Sequence, residues 1–280
     1  MLYARIPQTD WQVSRAAVGT MSFGKKVNAE EAALVVGCAL ENGINMLDTA
    51  NWYNGGESER ILGEILPQYD RSRIIVASKV AYCLKDGKTA TDLSYNFIIS
   101  AVEESLNRMN TDYMDICYFH APDYDTPLEE SLEAMDRLVK DGKVRCFGVS
   151  NYAAWQITDM IWRAQNAGFT APVLTQNVYN MLSRSLDDEL KPCLAEKEMG
   201  LVIFNPLAGG LLSGKHRMGK PTEGTRFSEN RMYFDRYWNE ENFMAISSFE
   251  SIAEDSVMSI LELAIRWCLS QEHVTSMLLG

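Results

Sequence analysis

The feature that most constrains this chain is a recurring unit: a short apolar run, a polar loop, then an amphipathic helical pattern. Apolar runs begin near Ala16, Ile44, Arg73, Asp115, Arg145, Val173, Leu201 and Val274. Typical members are Ile74-Ile75-Val76-Ala77, Ile116-Cys117-Tyr118-Phe119 and Leu201-Val202-Ile203-Phe204. The intervening segments carry helical stripes: Ile98, Val102, Leu106 and Met109 in one, and Leu128, Leu132, Met135 and Val139 in another. Asn28 with Glu31 reads as a capping box, and Gly43 as the stop of the helix it opens. Thr126-Pro127-Leu128-Glu129 reads as a second box with proline at the first helical position. Buried strands alternating with such helices imply a parallel sheet covered by helices.

Eight runs, most of them spaced about 28–30 residues apart, predict an α/β fold of one specific kind, a closed (β/α)8 TIM barrel. A doubly wound open sheet fits less well, because the units run evenly and no second domain intervenes. Residues 1–280 are therefore expected to form a single domain. Leu2–Ile6 and Trp11–Ser14 predict an N-terminal hairpin ahead of the barrel. Residues 206–255 leave room for an inserted loop and an extra helix, expected over the active-site face. The chain stops at Met277-Leu278-Leu279-Gly280, so the last outer helix is expected to be lacking. An apolar face left uncovered there would favour a homo-oligomer.

A net charge of −12 argues against a nucleic-acid partner or an anionic-membrane surface, although a local basic patch for a phosphate remains compatible with it. No apolar run approaches the length of a membrane span. Six cysteines, at positions 38, 83, 117, 146, 193 and 268, show neither a CxxC pair nor metal-ligand spacing. Reduced thiols in a cytoplasmic protein and no metal site are the expectation.

In such a barrel the loops after the strands converge on one face. Asp48 and Tyr53 follow the second strand, Lys79 ends the third and His120 the fourth. Ser150 and Asn151 follow the fifth, and Gln176 ends the sixth. Singly, each has an ordinary role: a helix cap, a solvated lysine, a core histidine. Together, four titratable groups on three consecutive strands point to proton transfer. A free phenol titrates near 10, and a neighbouring ammonium favours its ionised form. Asp48 would partner a buried Lys79, and His120 would donate to a substrate oxygen, so the set would protonate an oxyanion as it forms.

These residues, with Gly19-Thr20-Met21, Leu47-Asp48-Thr49-Ala50, Gly148-Val149-Ser150-Asn151, Gln176-Asn177-Val178-Tyr179-Asn180 and Asn205-Pro206-Leu207, resemble the aldo-keto reductases over nearly the whole chain. The resemblance implies an NADP-dependent oxidoreductase that reduces a small carbonyl substrate, with NADP(H) lying across the barrel face. By the same resemblance Tyr53 is the general acid, tuned by Lys79 and Asp48, and His120 orients the carbonyl. Gly19, Thr20, Met21, Asp48, Ser150, Asn151 and Gln176 would contact the cofactor, and Tyr179 would stack on its nicotinamide.

The stretch from Phe204 and Asn205 through Pro206, Leu207, Gly209, Leu211 and Ser213 to Lys215 includes a GxxxxGK pattern. His216 occupies the place where an NTPase needs Ser or Thr for magnesium, which excludes that class. The resemblance instead assigns this loop, with Arg226, to the cofactor bridge. Tyr233, Arg236 and Trp52 would face the substrate, with Met21 and Phe23 in the apolar wall and Arg236 able to pair with a carboxylate. The pattern Arg226-Phe227 followed by Tyr233, Arg236, Tyr237 and Trp238 is similar to the aflatoxin-aldehyde and succinic-semialdehyde reductases and to potassium-channel β-subunits. The latter imply an alternative, a redox-sensing subunit with little turnover. The family's adenosine-binding turn lies beyond position 280, so NADP over NAD rests on resemblance, and weakened cofactor binding by this form is a further alternative.

Overall fold

The computed structural model describes residues 1–280. A hairpin of β1 (Tyr3–Arg5) and β2 (Gln12–Ser14) precedes the barrel. The barrel strands are β3 (Ala16–Gly19), β4 (Met46–Asp48), β5 (Ile75–Val80), β8 (Met114–Phe119), β9 (Val144–Ser150), β10 (Leu174–Val178), β11 (Gly200–Phe204) and β12 (Val274–Leu279). All neighbours are parallel, and β12 pairs with β3 to close the cylinder. The connecting helices are α1 (Ala29–Glu41), α2 (Glu57–Ile65), α3 (Tyr95–Met109), α4 (Leu128–Lys140), α5 (Ala154–Ala167) and α6 (Leu190–Glu196). After β11 come α7 (Arg226–Glu229), α8 (Arg231–Tyr237), α9 (Glu240–Asp255) and α10 (Ile260–Ser270). No helix is long and apolar enough to cross a membrane.

Strand alternation divides the core in two. Ala17, Met46, Ala77, Ile116, Tyr118, Cys146, Leu174, Val202 and Leu278 point into the barrel, where Ile6 and Val13 of the N-terminal segment join them. Val18, Leu47, Val76, Cys117, Phe119, Phe147, Leu201 and Met277 point outward against the helices. A third apolar cluster, with Leu211, Phe227, Tyr233, Tyr237 and Trp238, holds the segment after β11 together.

Two local expectations need correction. Helix α4 has no side-chain cap; Pro127 holds the N-cap position, and Thr126 Oγ1 donates instead to Asp123 Oδ2 at 2.7 Å. Asp123 already accepts from the Leu93 amide at 2.8 Å, so this turn is tied to the start of α3 rather than to α4. The second concerns a hairpin outside the expected pattern, β6 (Tyr82–Lys85) and β7 (Lys88–Thr91), after β5. Its turn residues Asp86 and Gly87 both have positive φ, 52° and 73°, the geometry that Asp-Gly supplies to a two-residue hairpin loop. The Asn28–Glu31 capping box is present, and Gly43 has φ 80° just past α1.

Candidate active site

The same alternation builds the site. In a strand, residue i+2 faces the same side as residue i. Two positions beyond the interior residues Ala17, Met46, Ala77, Tyr118, Leu174, Val202 and Leu278 stand Gly19, Asp48, Lys79, His120, Gln176, Phe204 and Gly280. Ser150 lies four beyond Cys146, because Gly148 occupies the intermediate layer. A Cβ at Gly148 would lie 2.5 Å from the Leu174 carbonyl oxygen and 2.9 Å from the Tyr118 ring. The uppermost inward layer of the barrel is therefore polar on five neighbouring strands, β4, β5, β8, β9 and β10, and it lies under a cavity of about 460 Å³.

Lys79 and Asp48 are each about 1% exposed. Lys79 Nζ donates to Asp48 Oδ1 at 2.5 Å, to the Thr49 carbonyl oxygen at 2.7 Å and to the Tyr53 hydroxyl at 3.2 Å. Gln176 Nε2 donates to the other Asp48 oxygen at 2.8 Å. All three ammonium protons and both carboxylate oxygens are thus engaged, which is what a buried pair requires. Tyr53 comes from the loop after β4. Asn54, at φ 53°, anchors that loop by donating to the carbonyl oxygens of Met21 and Phe23 at 3.0 and 2.7 Å.

Burial raises the Tyr53 phenol above its ordinary value; Lys79 pulls it down and Asp48 pushes it up, with burial prevailing. The sequence-based expectation of a phenol made more acidic is corrected here, because loss of solvent on burial outweighs the ammonium. Burial pushes Asp48 up as well, against Lys79 and Gln176. Burial alone would lower Lys79, but Asp48 and Tyr53 hold it above its usual value. His120 lies well below the ordinary imidazole range through burial and the Lys79 charge, so its ring is neutral at physiological pH.

Gly19, Thr20, Met21, Asp48, Tyr53, His120, Ser150, Asn151, Gln176, Phe204, Asn205, Pro206, Leu207, Gly209, Arg226 and Tyr233 line the cavity. Lys79 lies beneath it. Ser150 Oγ donates to the Gln176 carbonyl oxygen at 2.9 Å, and Asn151 Nδ2 donates to the His120 carbonyl oxygen at 3.2 Å. At the other wall Arg226 Nη1 donates to the Tyr233 hydroxyl at 3.4 Å.

Several expected residues lie elsewhere. Tyr179 is fully buried, with its ring 5.2 Å from Trp267 and its hydroxyl donating to Asp187 at 2.6 Å, so it cannot face a nicotinamide. Phe204 is the aromatic ring that lines the cavity at that side. Arg236 is exposed and lies 6.0 Å from the Tyr237 ring; the cavity arginine is Arg226. On a short helix, Tyr233 and Tyr237 share the buried stripe, which turns Arg236 to the outside. Leu211 packs into the apolar cluster after β11, Lys215 is exposed, and neither these two nor Ser213 lines the cavity. Trp52 and Phe23 are not in its wall either: Trp52 packs beside Tyr82, and Phe23 is core. Ser22, Gly210, Met232, Leu278 and Leu279 line the cavity without having been singled out. Leu278 and Leu279 were legible as the end of the last strand, whereas Met232 depends on how the segment after β11 folds back.

The model of the aldo/keto reductase family matches residues 16–280. The chain belongs to the aldo/keto reductase family. Aflatoxin B1 aldehyde reductase member 2 of Rattus norvegicus is 36% identical over 260 residues, covering 89% of this chain and 70% of that protein. The Homo sapiens protein of the same name is 35% identical over 283 residues, covering 95% and 77%. A probable voltage-gated potassium channel subunit beta of Arabidopsis thaliana is 30% identical over 286 residues, covering 100% and 87%. As an aldo/keto reductase the protein is an oxidoreductase of carbonyl chemistry, in a family that generally uses NAD(P)H. The cavity suits such a cofactor in its donor set: hydroxyl and amide groups of Ser150, Asn151 and Gln176 for a carboxamide, Phe204 for a flat ring, and Arg226 for an anionic bridge.

Proposed function

We propose that the protein reduces aldehydes or ketones to alcohols, with NADPH as the hydride source and Tyr53 as the general acid. The observation that carries this reading is the hydrogen-bonded chain Asp48–Lys79–Tyr53 ending at the cavity wall beside a neutral His120. Bound reduced nicotinamide would supply the hydride to a carbonyl carbon. The raised phenol keeps Tyr53 protonated at neutral pH, which is the form a proton donor needs. Once the proton has left, the Lys79 ammonium at 3.2 Å stabilises the phenolate. His120, neutral and at the cavity wall, donates a hydrogen bond to the carbonyl oxygen and adds no charge that would repel Lys79.

Ser150, Asn151 and Gln176 are assigned to the carboxamide, and Phe204 to the nicotinamide ring face. Arg226 supports a phosphate-bearing cofactor at the opposite wall, and NADPH over NADH rests on the resemblance alone. Met21, Met232 and Tyr233 supply apolar surface for the substrate. Residues 206–255 are assigned to covering this face as part of one domain spanning 1–280. A hydride-transfer enzyme of this kind fits a cytoplasmic location.

The deciding experiment follows NADPH oxidation with 4-nitrobenzaldehyde and 4-carboxybenzaldehyde. Tyr53→Phe is expected to lower kcat by about 100-fold or more, with NADPH still quenching tryptophan fluorescence. Unchanged turnover in that variant overturns the assignment of the acid. The likeness to a channel subunit beta over the whole chain supports a second reading, a redox-sensing subunit with slow turnover. Tight NADPH binding with a single turnover that stalls would favour it over steady-state reduction.

A further inference from the structure

His120 is held in an unusual way. Its backbone is fixed: the amide donates to the Val80 carbonyl oxygen at 2.8 Å, and its own carbonyl accepts from Asn151. Its ring is not fixed by hydrogen bonds, because Nδ1 is buried without a partner. A histidine that must present one nitrogen to a substrate ordinarily fixes its tautomer and orientation through a bond from the other. Here two aromatic rings flank the imidazole at steep angles instead. Tyr82 lies 4.8 Å from it at 66°, and Tyr53 5.8 Å away at 79°. Tyr82 is itself braced by Trp52 at 6.0 Å.

Tyr82 opens the hairpin after β5, and its backbone is aimed by an unusual residue. Ala81, fully buried, has φ 152°, a conformation that non-glycine residues rarely adopt. The strained residue is pinned on both sides. Val80 accepts the His120 amide, and the Ala81 carbonyl accepts the Asp92 amide at 2.8 Å, closing the hairpin's base. Backbone strain held this firmly next to a site points to a geometric task.

We propose that Tyr82 is a positioning residue for His120, its ring orienting the imidazole through their T-shaped contact in place of the missing hydrogen bond. The inference rests on the reading of His120 as the carbonyl-orienting group, and it deepens that reading. Tyr82 itself is half-buried and outside the cavity wall, so it acts through the histidine.

The test compares Tyr82→Ala, Tyr82→Leu and Tyr82→Phe. Tyr82→Phe keeps the ring and should retain kcat/KM near the starting value. Tyr82→Ala and Tyr82→Leu should lose roughly three- to tenfold in kcat/KM, the worth of one aromatic pair. NADPH affinity from fluorescence quenching should stay unchanged. The second readout is independent of turnover. With three histidines in the chain, the imidazole nitrogen resonances can be assigned by NMR using His120→Gln. His120 should show one tautomer in the parent and in Tyr82→Phe, and averaged, broadened signals in Tyr82→Ala and Tyr82→Leu. Leucine fills most of the volume, so its variant answers if alanine unfolds the hairpin. A kcat/KM loss with an unchanged His120 spectrum overturns the positioning role, as does an unchanged spectrum with unchanged activity. Loss of activity in Tyr53→Phe tests the parent reading separately, and a failure there leaves the spectrum able to judge Tyr82.

Discussion

Removing Lys79 alone would leave the Asp48 carboxyl inside the barrel, about 1% exposed, with Gln176 as its remaining side-chain partner. Lys79→Met is therefore expected to destabilise the fold by about 3–5 kcal/mol. The double variant Asp48→Asn/Lys79→Met removes both charges and should recover much of that loss. Urea midpoints of the two single variants and the double variant measure the coupling, and additive losses would show that the pair is not a unit. A second expectation concerns pH. Tyr53 is raised above its ordinary value of 10.0 and His120 lies well below 6.5, so neither group changes charge near neutrality. Reduction kcat/KM should be flat between about pH 6.5 and 9 and fall only at or above about pH 10. A limb with a midpoint near 7 or 8 would contradict the assignment of the acid. Stability follows the opposite limb. Below 6.5 the unfolded chain takes up a proton on His120 that the folded protein refuses, so stability falls as pH drops toward the folded value. The loss in unfolding free energy between pH 7 and pH 5 should be smaller in His120→Gln than in the parent, measured by urea titration.

At the scale of elements, Gly63 shows how packing outweighs propensity. Within α2, alanine is intrinsically better than glycine by about 1 kcal/mol. A Cβ at position 63 would lie 2.3 Å from the Arg108 carbonyl oxygen and 3.0 Å from the Met109 carbonyl carbon, both backbone atoms of α3. Gly63→Ala is expected to cost about 1–3 kcal/mol net, read as a lowered urea midpoint; a raised midpoint would mean that α2 and α3 separate without penalty. This contact was not legible in the sequence, because a lone glycine does not reveal which backbone will cross it. The strands were legible because two constraints acted on the same residues: apolar runs short enough for strands, and helical stripes between them. Asp48, Lys79, His120 and Gln176 were legible for a related reason, since each follows an interior apolar residue by two. Tyr179 and Arg236 were misplaced because strand alternation had ended at both. Their directions depend on a loop closed by Asp187 and on a short helix whose buried stripe is Tyr233 and Tyr237. The Asp86-Gly87 hairpin carried a usable turn signal, but its flanking strands are short and have no fully buried residue, so the apolar pattern left them silent.

For the whole molecule, the six free cysteines form a set of internal probes of how the barrel opens. Cys38 is exposed on α1, whereas Cys83 and Cys193 are half-buried. Cys117 faces outward from β8 into the helix-packed layer, Cys146 faces into the barrel from β9, and Cys268 lies buried on α10. Burial pushes Cys146 and Cys268 up to about 12 and Cys117 higher still, with Glu59 and Cys146 adding to the effect on Cys117. The thiolate is the reactive form, so these three combine lack of access with lack of ionisation. Iodoacetamide at pH 8, followed by mass spectrometry, should modify Cys38 first, Cys83 and Cys193 more slowly, and the remaining three only after unfolding. The order among those three carries more information. Cys117 and Cys146 stand on adjacent strands paired through Ile116↔Cys146 and Cys117↔Phe147, but they face opposite sides of the wall. If the closed sheet opens as one cooperative unit, both become reactive at the same urea concentration. Earlier reaction of Cys117 would mean that helices leave the outside of an intact cylinder. Closure through the β12–β3 pair gives the barrel no free edge from which to fray, so simultaneous exposure is the expected result. Cys268 is expected to react at lower urea than either, because α10 contributes to the packing around β12 but shares none of the hydrogen bonds that close the barrel.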